Sequence, residues 1–404
     1  MLKKIPVSDL REGMYLHGLC GSWMQHPFWR TKFTVKGRDE IRQIIDSGIT
    51  EVMIDASQGL DVAPPAPPAA RPAPEPQAPV APVAVVARPA PKPASLAEEV
   101  DRARKICDLA RGAVASMLNE VRMGRAISQE VAGALVEDIA SSVERNAGAL
   151  ISLARLKTAD DYTFMHSVAV CALMVSLGRQ LGLDETQRRE AGTAGLLHDM
   201  GKALVPIEVL NKPGKLTDDE FSLVKKHPEL GHKALLESGA VDAGALDVCL
   251  HHHEKVDGSG YPHRLKGEEI SLLSRMGAVC DVYDAVTSDR PYKAGWEPGE
   301  AIRRMTEWSE GHFDKRVFQA FVKSVGIFPT GSLVRLSSGR LGVVLEQGSA
   351  SLLKPMVKVI FSTKSGVQVT PEILDLSRTG AEKIVGVEDP ATWGLKNLER
   401  FWVA

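Results

Sequence analysis

The chain has 404 residues, with Lys+Arg 49 against Asp+Glu 51, a formal net charge of -2 and 44% hydrophobic residues. That is ample apolar material for a buried core and too long for one ordinary domain, so two or three domains are expected. A near-neutral balance with 5% aromatic residues excludes the cationic, ring-bearing groove of a polynucleotide binder and the basic footprint of an anionic-membrane binder, so any phosphate site must be local.

Residues 1–62 join short strand-like runs, such as 48–55, to one helical segment from about Asp39 to Ser47. The pattern predicts a small α+β module, too short for a doubly wound receiver domain, and we read it as a regulatory or interaction unit. Between Ala63 and Ala94, 12 of 32 residues are proline and 11 are alanine. Proline removes amide donors and fixes the backbone near polyproline II, so 63–94 is expected to be a semi-rigid spacer.

Ser95-Leu96-Ala97-Glu98 has the spacing of a capping box, in which hydroxyl and carboxylate satisfy each other's free backbone donors. A helical stripe follows through Val100, Ala103, Ile106, Cys107, Ala110, Ala113, Val114, Met117, Leu118 and Val121. Further helices are predicted at about 128–150, 164–183, 185–198, 217–237, 240–253, 270–288, 297–310 and 314–324, giving an all-α bundle over 95–328. The stripe on the leading helices, 95–150, needs a cover, from its own subunit or from a second copy in a homodimer. From Gly331 short alternating runs separated by Ser-Ser-Gly and Lys-Ser-Gly turns predict a small β-barrel-like module, 329–385, and then a tail, 386–404.

The five cysteines, Cys20, Cys107, Cys171, Cys249 and Cys280, are odd in number and scattered, which argues for a reducing compartment. No basic segment leads into an apolar one at the N-terminus, and no run approaches the roughly 18 apolar residues of a membrane span. The expectation is a cytoplasmic protein without membrane insertion.

Nine of the eleven histidines lie between His166 and His312, inside the helical domain. His166, His198-Asp199, His227, His251-His252-His253 and Asp281 sit on successive helical segments, and a bundle can bring one side chain from each of several helices to one interior point. Imidazole and carboxylate without thiolate suit open hydrolytic metals such as Fe, Mn, Co, Ni or Zn, and argue against a closed structural zinc. Lys202, four residues beyond His198, is placed to meet a phosphate oxygen. In Asp257-Gly258-Ser259-Gly260-Tyr261-Pro262 the glycines allow close backbone approach, and Tyr261 offers a ring for a purine or a hydroxyl for a phosphate.

The ordered series His166, His198-Asp199-Met200-Gly201-Lys202, Lys226-His227-Pro228, His252-His253-Glu254, Gly258-Ser259-Gly260-Tyr261-Pro262 and Asp281-Val282-Tyr283-Asp284 resembles the HD-GYP family. The resemblance runs from about Tyr162 to Phe328 and includes 210–216 and 287–292. It implies a phosphodiesterase that hydrolyses cyclic di-GMP to linear pGpG through a hydroxide on two metals, leaving open a second cut to GMP. By the same resemblance His166, His198, Asp199 and Asp281 hold one metal, and Asp199 bridges to a second on His227, His252 and His253. Asp199 and Lys202 carry the catalytic roles; Lys202, Tyr261, Arg290 and Lys293 contact the substrate. The ions implied are iron or manganese, with nickel, cobalt and zinc as alternatives. Relatives with a third metal carry glutamate four residues before the first histidine, where this chain has Tyr162, so two metals are expected.

His251 is read as a packing or supporting residue, and His263 and His312 as surface or loop residues. Two other readings compete: a receptor that binds cyclic di-GMP, turns it over slowly and signals to protein partners through its flanking modules, and a nucleotide phosphohydrolase or nuclease on the same scaffold. Arg290-Pro291-Tyr292 and the Tyr261 loop weigh against the last.

Overall fold

The computed structural model describes residues 2–20, 32–46, 51–61, 92–156, 161–239, 241–289, 295–348, 351–378 and 382–403. Most of the proline-rich 63–94 stretch, and with it the spacer reading, lies outside them. The chain divides into two units, 1–90 and 91–404.

In the first unit the strands β1 (Leu2–Pro6), β2 (Tyr15–Cys20), β3 (Phe33–Thr34) and β4 (Glu51–Asp55), with helix α1 (Arg38–Asp46) before β4, form an antiparallel sheet in the order β1-β4-β2-β3. Alternation along β1 and β4 turns Ile5, Val52 and Ile54 inward, where they meet Leu16, Val35 and Ile44. The unit is α+β, with a core of its own.

The second unit opens with α2 (Leu96–Arg122), capped as expected: Ser95 Oγ accepts from Glu98 N, and Glu98 Oε2 from Ser95 N at 2.8 Å. Every residue of the predicted stripe on α2 is buried, packed within the chain mainly by α3 (Gln129–Arg155) and α4 (Tyr162–Leu181). Helix α4 is buried almost all round from Met165 to Gly178. It is also long and apolar enough to cross a membrane, which corrects the sequence expectation; here 78% of its apolar window is buried inside the protein, as the central helix of a bundle requires.

The bundle continues through α5 (Glu185–Leu197), a 3-10 turn (Met200–Leu204), α6 (Ile207–Leu210), α7 (Asp218–Val224), α8 (His227–Ser238), α9 (Ala243–His251), α10 (Leu272–Thr287), α11 (Pro298–His312) and α12 (Lys315–Val325). The single helix predicted over 217–237 is therefore two. The break falls just before Pro228, which occupies the first turn of α8, where a residue without an amide proton costs nothing.

The remaining strands, β5 (Leu333–Leu336), β6 (Arg340–Glu346), β7 (Met356–Ser362), β8 (Val367–Asp375) and β9 (Ile384–Val387), pair antiparallel in the order β8-β7-β6-β5-β9. This is an open sheet, not the expected barrel. Strand β8 carries Pro371 and is mostly exposed, the composition of an edge that pairs on one side only. One face, with Leu333, Leu341, Val343 and Leu345, joins the core of α2 and α3, and Trp402 from the chain's end is buried in the same cluster.

Candidate metal centre

Five helices, α4, α5, α8, α9 and α10, deliver the predicted ligands to one point. His166 lies on the buried face of α4. Helix α5 stops at Leu197, and the backbone turns at Asp199 (φ -103, ψ 12) into the 3-10 turn, so the adjacent side chains His198 and Asp199 can flank one centre. That turn seats directly on α8: a Cβ at Gly201 would fall 1.9 Å from the carbonyl oxygen of His227 and 2.6 Å from Gly231 N, so only glycine fits. His227 begins α8, His252 and His253 follow the last residue of α9, and Asp281 projects from α10. His166, His198, Asp199, His227, His252 and Asp281 are all buried.

Hydrogen bonds fix which ring nitrogen of each histidine faces inward. His198 Nδ1 donates to the carbonyl of Gly195 at 2.7 Å, His227 Nδ1 to that of Val224 at 2.7 Å, and His252 Nδ1 to that of Val248 at 3.0 Å. A neutral imidazole that donates through Nδ1 keeps only a lone pair at Nε2. His166 Nδ1 donates instead to the Asp284 carboxylate at 2.6 Å, the support that metal-binding histidines characteristically have.

The inward atoms form two groups, His166, His198 and Asp199, and His227, His252 and His253, with the donor atoms of each within 4.8 Å of one another. Asp199 joins them. Its Oδ2 lies 3.3 Å from His166 Nε2 and 3.4 Å from His198 Nε2, and its Oδ1 lies 3.2 Å from His227 Nε2 and 3.8 Å from His252 Nε2. Asp281 Oδ1 is 3.1 Å from His166 Nε2, while its Oδ2 is 3.7 Å from His253 Nδ1. Asp199 Oδ1 is buried without a hydrogen-bond donor, and His227 and His252 approach Nε2 to Nε2 at 3.3 Å. Facing lone pairs with no proton between them are the mark of a site built for a cation, and imidazole with carboxylate fits a divalent transition metal.

The electrostatics agree. Burial depresses His252 far below its ordinary range and brings His253 down to about 3, with cationic neighbours adding to the effect. Burial acts the same way on His166, but Asp199, Asp281 and Asp284 overcome it and raise that ring to about 10. Burial pushes Asp199 and Asp281 upward, yet Lys202 and the histidines hold Asp199, and the histidines hold Asp281, well below the carboxylate range. Lys202 Nζ bonds directly to Asp199 Oδ2.

Tyr261 stands over the second group, its ring 4.8 Å from that of His253. The loop before it is pinned: Tyr261 N donates to the His253 carbonyl at 3.2 Å and Asp257 N to that of Gly311 at 3.1 Å. A Cβ at Gly260 would lie 2.4 Å from Lys255 N. Lys225 Nζ sits 5.2 Å from the Tyr261 ring and 4.8 Å from that of Phe221, a cationic and aromatic pair that the sequence reading did not single out. Tyr162 stacks on His166 at 5.6 Å with the rings 8° apart. Arg290 and Lys293 lie outside the described residues.

His251 takes no part in either group. Its Nδ1 meets Asp247 at 2.7 Å and its Nε2 meets Nδ1 of the exposed His263 at 3.0 Å. His312 is half-buried, and burial lowers it to about 4. Sequence reasoning also missed Asp284, although its spacing of three from Asp281 places both on one side of α10.

Residues 134–317 match the HD domain family, and residues 2–132 match a domain of unknown function, DUF3391. The chain is 55% identical over 404 residues to a cyclic di-GMP phosphodiesterase, PA4108, of Pseudomonas aeruginosa, covering 100% of this chain and 96% of that protein. It is 41% identical over 180 residues to the cyclic di-GMP phosphodiesterase response regulator RpfG of Xanthomonas campestris, covering 43% of this chain and 47% of the relative. Among solved structures, an HDG"Y"P protein from Bdellovibrio bacteriovorus, Bd1817, aligns over 80% of this chain and 99% of its own with 16% identity and a TM-score of 0.47.

Proposed function

This chain belongs to the HD-GYP family of HD-domain proteins, and from that premise we propose that it is a metal-dependent phosphodiesterase of cyclic di-GMP. The observation that carries the chemistry is the convergence of five imidazoles on two carboxylates, with three of the rings held by backbone carbonyls in the tautomer that leaves Nε2 free. We assign His166, His198, Asp199 and Asp281 to one ion and His227, His252 and His253 to a second, with Asp199 offering one oxygen to each. Bound there, two divalent ions, iron or manganese by our reading, supply a water of lowered pKa and positive charge for the phosphoryl oxygens.

The protein's own residues do the rest. Asp199 keeps the two groups in register through its two oxygens. Lys202, now paired with Asp199, has an ammonium that can turn to a phosphoryl oxygen as negative charge gathers there. Tyr261, Lys225 and Phe221 line the approach, with ring faces for guanine and a cation for the second phosphate. Arg290 and Lys293 complete the substrate contacts in this reading, with pGpG as first product and GMP after a second cut. A cytoplasmic setting is supported by the buried thiols of Cys171, Cys249 and Cys280, which form no disulfide among the described residues.

The test is a single-turnover assay with cyclic di-GMP after reconstitution with manganese or ferrous ion. Linear pGpG should appear at a rate set by metal loading; a loaded protein that binds the dinucleotide and yields no linear product would be a receptor and would overturn the assignment.

A further inference from the structure

The histidine of the 251–253 run that joins neither metal group meets the far end of the Tyr261 loop. A chain of contacts begins on α10: Ser274 Oγ donates to Asp247 Oδ2 at 2.7 Å, and the hydroxyl of Ser271, which caps α10, donates to the same oxygen. Both Asp247 and His251 lie on α9; Asp247 Oδ1 is 2.7 Å from His251 Nδ1, and His251 Nε2 is 3.0 Å from His263 Nδ1. Burial pushes the Asp247 carboxyl up, but hydrogen bonds from His251, Ser271 and Ser274 outweigh it and bring the group down to about 2. An ionised carboxylate only accepts, so the His251 proton sits on Nδ1 and a neutral ring keeps a lone pair at Nε2. His263 then brings the proton on its own Nδ1, and the two rings form a directed N–H···N hydrogen bond.

The backbone of His263 is held as well. Its N–H donates at 2.7 Å to Oε1 of the buried Glu254. Glu254 directly follows His253, and its Cα would lie 2.5 Å from a Cβ at Gly260, so the loop folds back tightly onto its own start. His263 is thus tied through its backbone and its ring, although its side chain is exposed. Only Pro262 separates it from Tyr261, and the proline ring fixes φ at that position. The entry to the loop is held elsewhere, by Asp257 N on the Gly311 carbonyl at 3.1 Å and Val256 N on that of His312 at 3.3 Å.

We propose that His251 and His263 are positioning residues for substrate: their hydrogen bond latches the exit of the Tyr261 loop and holds the Tyr261 ring over His253, ready for a guanine base. Neither residue touches a reacting atom. The latch is anchored on α9 and α10, the helices that place His252, His253 and Asp281, so the ring keeps its distance from the metal groups. The effect on substrate rests on the proposed function; the latch itself does not.

His263→Ala removes the ring contact at an exposed position outside both metal groups, and His263→Asn keeps a side-chain N–H close to the place of Nδ1. Hydrogen exchange of segment 257–263 in the full, manganese-loaded chain reads the latch, and KM against kcat for cyclic di-GMP reads its use. Loss of one neutral hydrogen bond should speed exchange and raise KM by about 2- to 10-fold in His263→Ala. Its kcat and manganese content should match the parent, and His263→Asn should lie close to the parent throughout. His251→Ala should raise KM as much, and the double variant no further, because all three break one contact. Unchanged exchange in His263→Ala overturns the latch, and additive losses in the double variant overturn the shared contact. Faster exchange with unchanged KM overturns the positioning role. A KM rise accompanied by loss of kcat or manganese overturns it too, since the defect then lies in the metal groups. A chain inactive on cyclic di-GMP sinks the proposed function and leaves the exchange comparison to decide the latch.

Discussion

The two halves of the candidate metal centre are built from the same residue types and held in different ways. The His166 group is rich in carboxylate: Asp199 and Asp281 face it and Asp284 supports it from behind. The His227 group is rich in imidazole, and its rings His227 and His252 are fixed by helix carbonyls rather than by charged side chains. Negative charge gathers at the first half, raising His166 to about 10, while burial strips protons from the second, with His253 lowered to about 3. A cation entering the first half must displace a proton but gains strong charge stabilisation; in the second it meets free lone pairs and less charge. One residue, Asp199, belongs to both.

Asp199→Ala should therefore have the largest effect. Losing the carboxylate shared by the two halves should cost about 10³-fold or more in kcat and lower the metal content of both. Retention of two ions per chain by elemental analysis would show that the halves are independent. Asp284→Asn comes next and separates them. An amide still accepts from His166 Nδ1 but no longer strengthens the ring as a ligand, so affinity at the first half should fall about 10–100-fold while the second is unchanged. Metal titration of the variant against the parent reads this directly. Gradual chelation should give a smaller contrast: at neutral pH the second half, with fewer carboxylates, releases its ion first. Activity should then disappear while one ion per chain remains. Loss of both ions in a single step would contradict the charge argument.

What the sequence made legible follows from the same contrast. The spacing of His166, His198-Asp199, His227, His252, His253 and Asp281 was enough to single them out, because each ends or faces a helix whose apolar period points inward. The tautomers were hidden, since they depend on carbonyls at Gly195, Val224 and Val248 that exist only once those helices form. Asp284 was hidden too, because its partner lies 118 residues away. The bundle was readable from periodicity down to the α2 stripe, whereas the open C-terminal sheet was taken for a barrel. Short alternating strands specify pairing but not closure, and Pro371 in β8 was the one local sign of an edge.

The subtlest expected change concerns Tyr162, one turn before His166 on α4. Its ring stacks on the His166 imidazole at 5.6 Å, so the face of the first half that could admit another oxygen donor is covered by carbon. Tyr162→Glu would exchange that cover for a carboxylate in the first turn of a helix, where negative charge is favoured. The Asp199 and Asp281 carboxylates stay in place, so the two ions of the proposed function should still bind and kcat should move by no more than about threefold. What should change is stoichiometry, from two ions per chain to three at high manganese, read by elemental analysis after gel filtration. If the variant still binds two, the number of ions is set by the two halves and their shared aspartate rather than by the residue that covers His166.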